Sequence, residues 1–322
     1  MIKIKIFEKY TNTNEIYNKI MNEYDWDNDD KYGVEYIFTS DNDFTHAILI
    51  NDVIPELSIK KDNIIGLAQE PGIFLNLNSK IKNIYKNKIK SYFIGTTRYI
   101  KSDKSLFIES YSYLFPQISY KQVNSYIKKY PEKNKLINYV YSHKKSKSDH
   151  LPSKIKAQHQ FLKKYFPSTD DTRILYKYRH ILGNNIIENK LPIDIYGNCT
   201  KSLKENFPKN NNIHYQFDWK DIHKIYENYK FSIVIENTRE EEYFSEKITI
   251  PLMCGCIPIY LGCKNINSYF KEYVIHLNGN LNDDINLLND IINKKDKYYK
   301  KINIQEIKEQ IHLKNIIHQE FL

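Results

Sequence analysis

Short runs of β-branched and aromatic residues recur along the chain, each bounded by polar or turn-forming residues. They fall at 3–7, 34–40, 46–51, 63–68, 91–95, 135–142, 192–197, 231–236 and 257–262. Their length and their Val, Ile, Tyr and Phe content predict strands. Between them, 153–166, 218–229 and 243–255 carry apolar residues at helical spacing. Pro251 falls inside the last of these and predicts a kink or break there. Strands alternating with helices imply an α/β fold with parallel sheets covered on both faces.

A polar stretch at 121–135 divides the first strand set from the second. It predicts two α/β domains, 1–125 and 130–300. The remainder, 301–322, reads as one C-terminal amphipathic helix whose apolar residues fit a single face loosely. A chain of 322 residues suits two domains, at roughly 150 residues each. Hydrophobic residues make up 41% of it, enough for packed cores.

Charge changes the picture little. The net charge of +9 suits an anionic ligand or a membrane surface but specifies no chemistry. Acidic residues are dispersed, and nothing resembles an RNA-binding strand or a helix-turn-helix. A nucleic-acid partner is therefore not expected, and a basic protein that only binds nucleic acid or a membrane surface is the distant alternative. The 28 tyrosines go with a general Ile, Lys, Asn and Tyr bias rather than with base stacking. No run approaches the roughly 18 apolar residues of a transmembrane span. The first ten residues alternate like a strand and lack the apolar core of a secretion signal. A cytoplasmic location follows as the expectation. Peripheral membrane association through the seven lysines of 143–164 or the C-terminal helix is compatible with it. Cys199, Cys254, Cys256 and Cys263 then read as reduced thiols.

The chemistry concentrates in "FSIVIENTREEEYFSEKITIPLMCGCIPIYLG" (231–262), where two apolar runs enclose a charged knot. In open α/β sheets, ligands bind beyond the carboxyl ends of the strands. The loop after Glu236 lies there. Ser245 suits an N-cap, and the free N–H groups behind it attract anions. Lys247 opposes the helix dipole at a cost of about 0.5 kcal/mol, which a bound phosphate offsets. Glu246 can accept hydrogen bonds from a ribose diol. From spacing alone, a solvated surface loop is an equal alternative.

The run Glu236-Asn237-Thr238, then Tyr243-Phe244-Ser245-Glu246-Lys247, then Cys254-Gly255-Cys256-Ile257-Pro258 resembles the donor-binding signature of family-ten glycosyltransferases, the α1,3/α1,4-fucosyltransferases. More weakly, 191–199 and 136–143 resemble the strands that precede it. The resemblance implies a GT-B fold, two Rossmann-like domains facing across a cleft, with GDP-fucose as donor and a glycan or glycoconjugate as acceptor. It implies that Lys247 neutralises the diphosphate and Glu246 holds the ribose. Asn237 and Tyr243, with Glu236, would line the donor pocket. Where the family shows an arginine after Ser-Asn, this chain has Ser142-His143. Lys154 or Lys156, or the more distant Arg173 or Arg179, are the available replacements. A lysine does not reproduce the bidentate fork of arginine.

An inverting transfer needs a general base for the acceptor hydroxyl and stabilisation of the leaving group. Glu70, in "NIIGLAQEPG" (63–72), follows a strand and precedes a proline that favours an extended backbone. The segment resembles the base-bearing strand of the family without its serine. Arg98 and Asp103 are acceptor-side candidates by a fainter likeness. No Asp-x-Asp ends a strand in the donor half, and Asp283-Asp284 reads as a helix cap, so no obligatory metal is expected. Cys254 and Cys256 read as small core residues. The nearest rival is a GT-B transferase of another donor, GDP-rhamnose or a UDP-sugar, as in exostosin-like proteins.

Overall fold

The computed structural model describes residues 1–8, 12–23, 36–50, 55–68, 91–94, 97–100, 118–142, 173–214, 218–239, 241 and 243–322. The strands are β1 (Ile2–Phe7), β2 (Tyr36–Phe38), β3 (His46–Ile50), β4 (Ile64–Ala68), β5 (Ser91–Ile94), β6 (Thr97–Ile100), β7 (Lys135–Val140), β8 (Arg173–Ile174), β9 (Ile193–Tyr196), β10 (Ile213–His214), β11 (Tyr229–Ile235), β12 (Thr238–Arg239), β13 (Ile257–Leu261) and β14 (Ile275–His276). The helices are α1 (Thr13–Glu23), α2 (Tyr120–Lys128), α3 (Tyr176–Glu188), α4 (Thr200–Asn206), α5 (Ile222–Tyr226), α6 (Glu246–Met253), α7 (Asn267–Phe270), α8 (Leu281–Asn293), α9 (Lys295–Tyr298), α10 (Ile304–Ile311) and α11 (Lys314–Phe321).

The chain divides into two compact units. One contains Met1–Lys129, Glu242–Glu246 and Ile304–Leu322, the other Tyr130–Glu241 and Lys247–Asn303. The first is built on a sheet ordered β2-β1-β3-β4-β5-β6. Its pairs are parallel except β5–β6. Ile16 and Ile20 of α1 are buried in its core. Ser119 caps α2 by accepting from the Gln122 N–H at 3.1 Å, and Tyr120, Val123 and Tyr126 of that helix are buried. The closing helices belong to this unit. Lys308 donates to Asn124 at 2.7 Å, and His312 stacks on Tyr120 at 4.6 Å. Burial holds the His312 imidazole down at about 3, so the ring stays neutral.

The second unit carries an all-parallel sheet ordered β10-β9-β7-β11-β13-β14. Counted within the unit this is 3-2-1-4-5-6, the doubly wound order whose direction reverses between the first and fourth strands. Those strands are β7 and β11. Five of the seven residues from Tyr229 to Ile235 are β-branched or aromatic, and six are buried, as a strand covered on both faces requires. Pro258 stands in β13 one residue before its pairing with β14 begins, so its missing N–H removes no bond on that side.

All nine expected strands are present, with ends differing by two residues or fewer. The expected helix 153–166 lies outside the described residues. The one over 218–229 is a 3-10 turn, Trp219–Asp221, followed by α5. The tail is two helices rather than one. The polar stretch 121–135 holds a helix, because three well-spaced apolar residues suffice to dock α2. No helix among the described residues is long and apolar enough to cross a membrane.

Near the start of β7 and β11 a polar cluster ties four strands. Asp194 of β9 accepts from Lys135 at 3.0 Å and from the Tyr229 hydroxyl, and pairs with His214 at 2.9 Å. Burial pushes the Asp194 carboxyl up, but the bonds from His214, Tyr229 and Lys135 outweigh it and hold it below its ordinary value. A carboxylate depressed in the folded state stabilises above its unfolded value and ceases to do so as pH falls through the folded one. Asp194→Ala is expected to cost about 1–3 kcal/mol at neutral pH. The difference from wild type should shrink below about pH 4, as urea titrations across the acid range will read.

Candidate functional site

The site grows from the carboxyl end of β11. The Glu236 N–H donates to the Leu261 carbonyl at 2.9 Å, extending the ladder with β13 by one residue. The Asn237 carbonyl then accepts from the Leu175 N–H at 3.0 Å, at the entry of α3. Thr238 and Arg239 pair with Ile174 and Arg173 in the small antiparallel sheet of β8 and β12. The chain therefore leaves the main sheet at the point where the strand order reverses.

Glu236 has no exposed surface. An isolated buried carboxylate is costly, and here Lys247 Nζ lies 3.8 Å from its Oε2. Tyr260 and Gly262 wall the same space. A Cβ on Gly262 would fall 2.5 Å from Glu236 Cγ and 2.5 Å from the Tyr260 hydroxyl. Burial, then the Glu236 charge, push the Tyr260 phenol well above its ordinary value, so it stays protonated. Its hydroxyl accepts from the Cys263 N–H at 2.9 Å.

Asn237 is held from α3. Arg179, 2% exposed, donates from Nη2 to Asn237 Oδ1 at 2.8 Å. Its guanidinium also lies 5.2 Å from the Tyr176 ring. Arg179 Nε and Thr238 Oγ1 are buried without a hydrogen-bond partner among the described residues.

Lys247 and Glu246 open α6, and buried Ser245 stands immediately before it. Tyr243 is buried at 1% exposure. Pro251 does not break the helix at once, which runs on to Met253. The end is a Schellman motif: the Cys256 N–H donates to the Pro251 carbonyl at 2.9 Å and the Gly255 N–H to that of Leu252 at 3.0 Å. Gly255 has φ +68°, and a Cβ there would lie 2.6 Å from the Tyr130 hydroxyl. Lys133 completes the end of α6. Its ammonium donates to the carbonyls of Tyr226, Glu227 and Cys254 at 3.2, 3.0 and 2.6 Å. Cys254 and Cys256 are fully buried, and burial pushes the Cys256 thiol up to about 12.

Of the residues expected at the site, Glu236 and Lys247 are brought together, and Asn237 follows Glu236 directly. Tyr243 lies in the segment that leads into α6, and Glu246 is the first residue of that helix. Glu70, Asp103, Lys154 and Lys156 lie outside the described residues. Of Arg98 only its place in β6 is described, opposite Phe93 of β5. Arg179, one of four replacement cations for the missing arginine, donates to a site residue, whereas Lys154 and Lys156 lie outside the described residues and of Arg173 only its place in β8 is described. The position of Arg179, three residues after the start of α3, has no local sequence signal. Asp283-Asp284 is not itself the cap of α8. Asn280 is, accepting from the Asn282 and Asp283 N–H groups. Asp284 instead accepts from the Asn278 and Gly279 N–H groups at 2.9 and 3.1 Å and from the Tyr178 hydroxyl.

Residues 172–305 match the model of the family described as "Glycosyltransferase family 10 (fucosyltransferase) C-term". This segment is similar to the C-terminal domain of that family. GDP-fucose protein O-fucosyltransferase 3 of Danio rerio is 30% identical to the chain over 106 residues, 33% of this chain and 20% of that protein. Alpha-(1,3)-fucosyltransferase B of Drosophila melanogaster is 37% identical over 83 residues, 24% of this chain and 18% of that one. The chain thus spans about a fifth of the length of the curated relatives it matches. A crystal structure of an alpha1,3-fucosyltransferase with GDP aligns over 98% of this chain and 88% of its own, at 12% identity and a TM-score of 0.47. The matched segment contains α3, β11, α6 and β13. It begins after β7, so the faint likeness at 136–143 lies upstream of it.

Gly262→Ala is expected to lower stability by about 1–3 kcal/mol through overpacking, because its neighbours Glu236 and Tyr260 are buried. Denaturant unfolding of the purified variant will measure it.

Proposed function

We propose that this protein is an inverting fucosyltransferase that moves L-fucose from GDP-fucose to a glycan hydroxyl. The observation that carries this reading is the charged group at the end of β11. Buried Glu236, Asn237 and Lys247 stand at the reversal point of a doubly wound sheet, inside the segment that matches the family. Sheets of this kind take nucleotides at that point. A lysine in the first turn of a helix, tolerated against the dipole, suits a diphosphate there.

In this reading Lys247 neutralises charge on the leaving diphosphate as the glycosidic bond to the nucleotide breaks. Glu246, next to it in the first turn, accepts from the ribose hydroxyls. Asn237 and Tyr243 line the donor site. Glu236 holds Lys247 in place rather than meeting the nucleotide, since it has no exposed surface. Glu70 is the proposed general base, taking the proton of the acceptor hydroxyl as its oxygen attacks the anomeric carbon. The reaction so described needs no metal step, the cationic and dipolar groups supplying the stabilisation.

GDP is expected to raise the melting temperature and UDP to leave it unchanged; stabilisation by UDP alone would overturn the donor assignment. Lys247→Ala should weaken GDP binding by about 1.5–3 kcal/mol, read by calorimetry. Glu70→Gln should nearly abolish transfer from GDP-fucose while GDP affinity stays within a few-fold. A Glu70→Gln protein that keeps most of its transfer rate removes Glu70 as the base.

A further inference from the structure

We infer that Arg179 is a positioning residue that turns the Asn237 amide so that it meets the nucleotide diphosphate as a hydrogen-bond donor and not as an acceptor. The inference rests on the donor-site reading above. It starts from chemistry that admits no alternative orientation. A guanidinium has donors only, so the atom of Asn237 that lies 2.8 Å from Arg179 Nη2 is its oxygen. The amide nitrogen is thereby directed away from Arg179. No hydrogen bond from Asn237 Nδ2 is found among the described residues, and it is not among the buried atoms without a partner. Asn237 as a whole is 5% exposed.

The amide has little freedom to reverse. Its backbone is pinned by the Leu175 N–H at 3.0 Å, and Arg179 itself sits one turn on, its N–H donating to the Leu175 carbonyl at 3.0 Å. The first turn of α3 thus holds both the main chain and the side chain of Asn237. Arg179 is kept from moving by burial, by the Tyr176 ring, and by its own carbonyl, which accepts from the Tyr139 hydroxyl at 3.0 Å. Reversing the amide would aim an N–H group at a buried cation and leave the guanidinium without its acceptor. Buried polar groups left unpaired carry a substantial penalty. What remains on the outward side is an N–H pair, which complements phosphate oxygens and repels another donor.

Three variants test this, each compared with wild type for melting temperature without nucleotide and for GDP affinity by calorimetry. Asn237→Asp keeps the shape and keeps an acceptor for Arg179, but replaces the outward donor by a carboxylate oxygen. Its melting temperature should match or exceed that of wild type, and its GDP affinity should fall about tenfold or more. Arg179→Met, which removes the lock, should weaken GDP binding several-fold. Arg179→Lys, which restores one donor, should recover part of that loss. Should Arg179→Met fail to fold, the Asp and Lys variants carry the decision. Wild-type binding of GDP with unchanged affinity in Asn237→Asp overturns the inference alone. So does a loss of stability in Asn237→Asp as large as the loss of affinity. A wild type that binds no GDP overturns the donor-site reading and, with it, this inference.

Discussion

A carboxylate with no exposed surface ends the central strand of the second unit, and much of the local structure answers to it. Glu236 must be balanced by a cation, which fixes the first turn of α6 close to the end of β11. It must also have room, which leaves no space for a side chain at Gly262. The lysine then stands where a helix dipole disfavours it, held there by the glutamate. The cation is thereby kept near the end of β11, 3.8 Å from the buried carboxylate and only partly exposed. A buried ion pair of this kind contributes little net stability. Its value lies in geometry.

The rest of the unit works to hold that geometry still. The glycine and two cysteines after α6 bear no chemistry of their own. They allow a tight helix end, a left-handed residue and close packing against Tyr130. Lys133 bonds three carbonyls where α5 and α6 finish, doing with a charged side chain what backbone alone leaves undone at helix C-termini. The Asp194 cluster does comparable work near the other end of the strands. A rigid sheet between these two anchored ends keeps α3 and α6 at a fixed spacing, so Arg179 and Lys247 approach the Glu236-Asn237 pair from different elements.

Much of this was legible in the residues. Strands announce themselves by β-branched and aromatic density, and every long one did so. In the knot from Glu236 to Lys247, spacing alone left a solvated loop as an equal alternative; the structure buries Glu236 and places Lys247 beside it. The helices α1, α2 and α3 were not legible: α1 and α2 are short and mostly polar, and α3 buries Arg179 and Gly183 among its apolar residues, which blurs its apolar face. Two-residue strands such as β10 and β14 exist only because a neighbour pairs with them. The contact between Arg179 and Asn237 joins positions 58 residues apart, and no local pattern encodes it.

The first unit draws part of its core from residues 304–322, with His312 packed on Tyr120 and Lys308 on Asn124. This has a consequence for how the protein is made. Domains emerging from a ribosome usually fold in order, amino-terminal first. Here the earlier unit lacks its covering helices until the whole of the later one has been synthesised. Its sheet must wait with the Tyr120 face of α2 uncovered, so the second unit is positioned to fold first. The order of synthesis and the order of completion run in opposite directions.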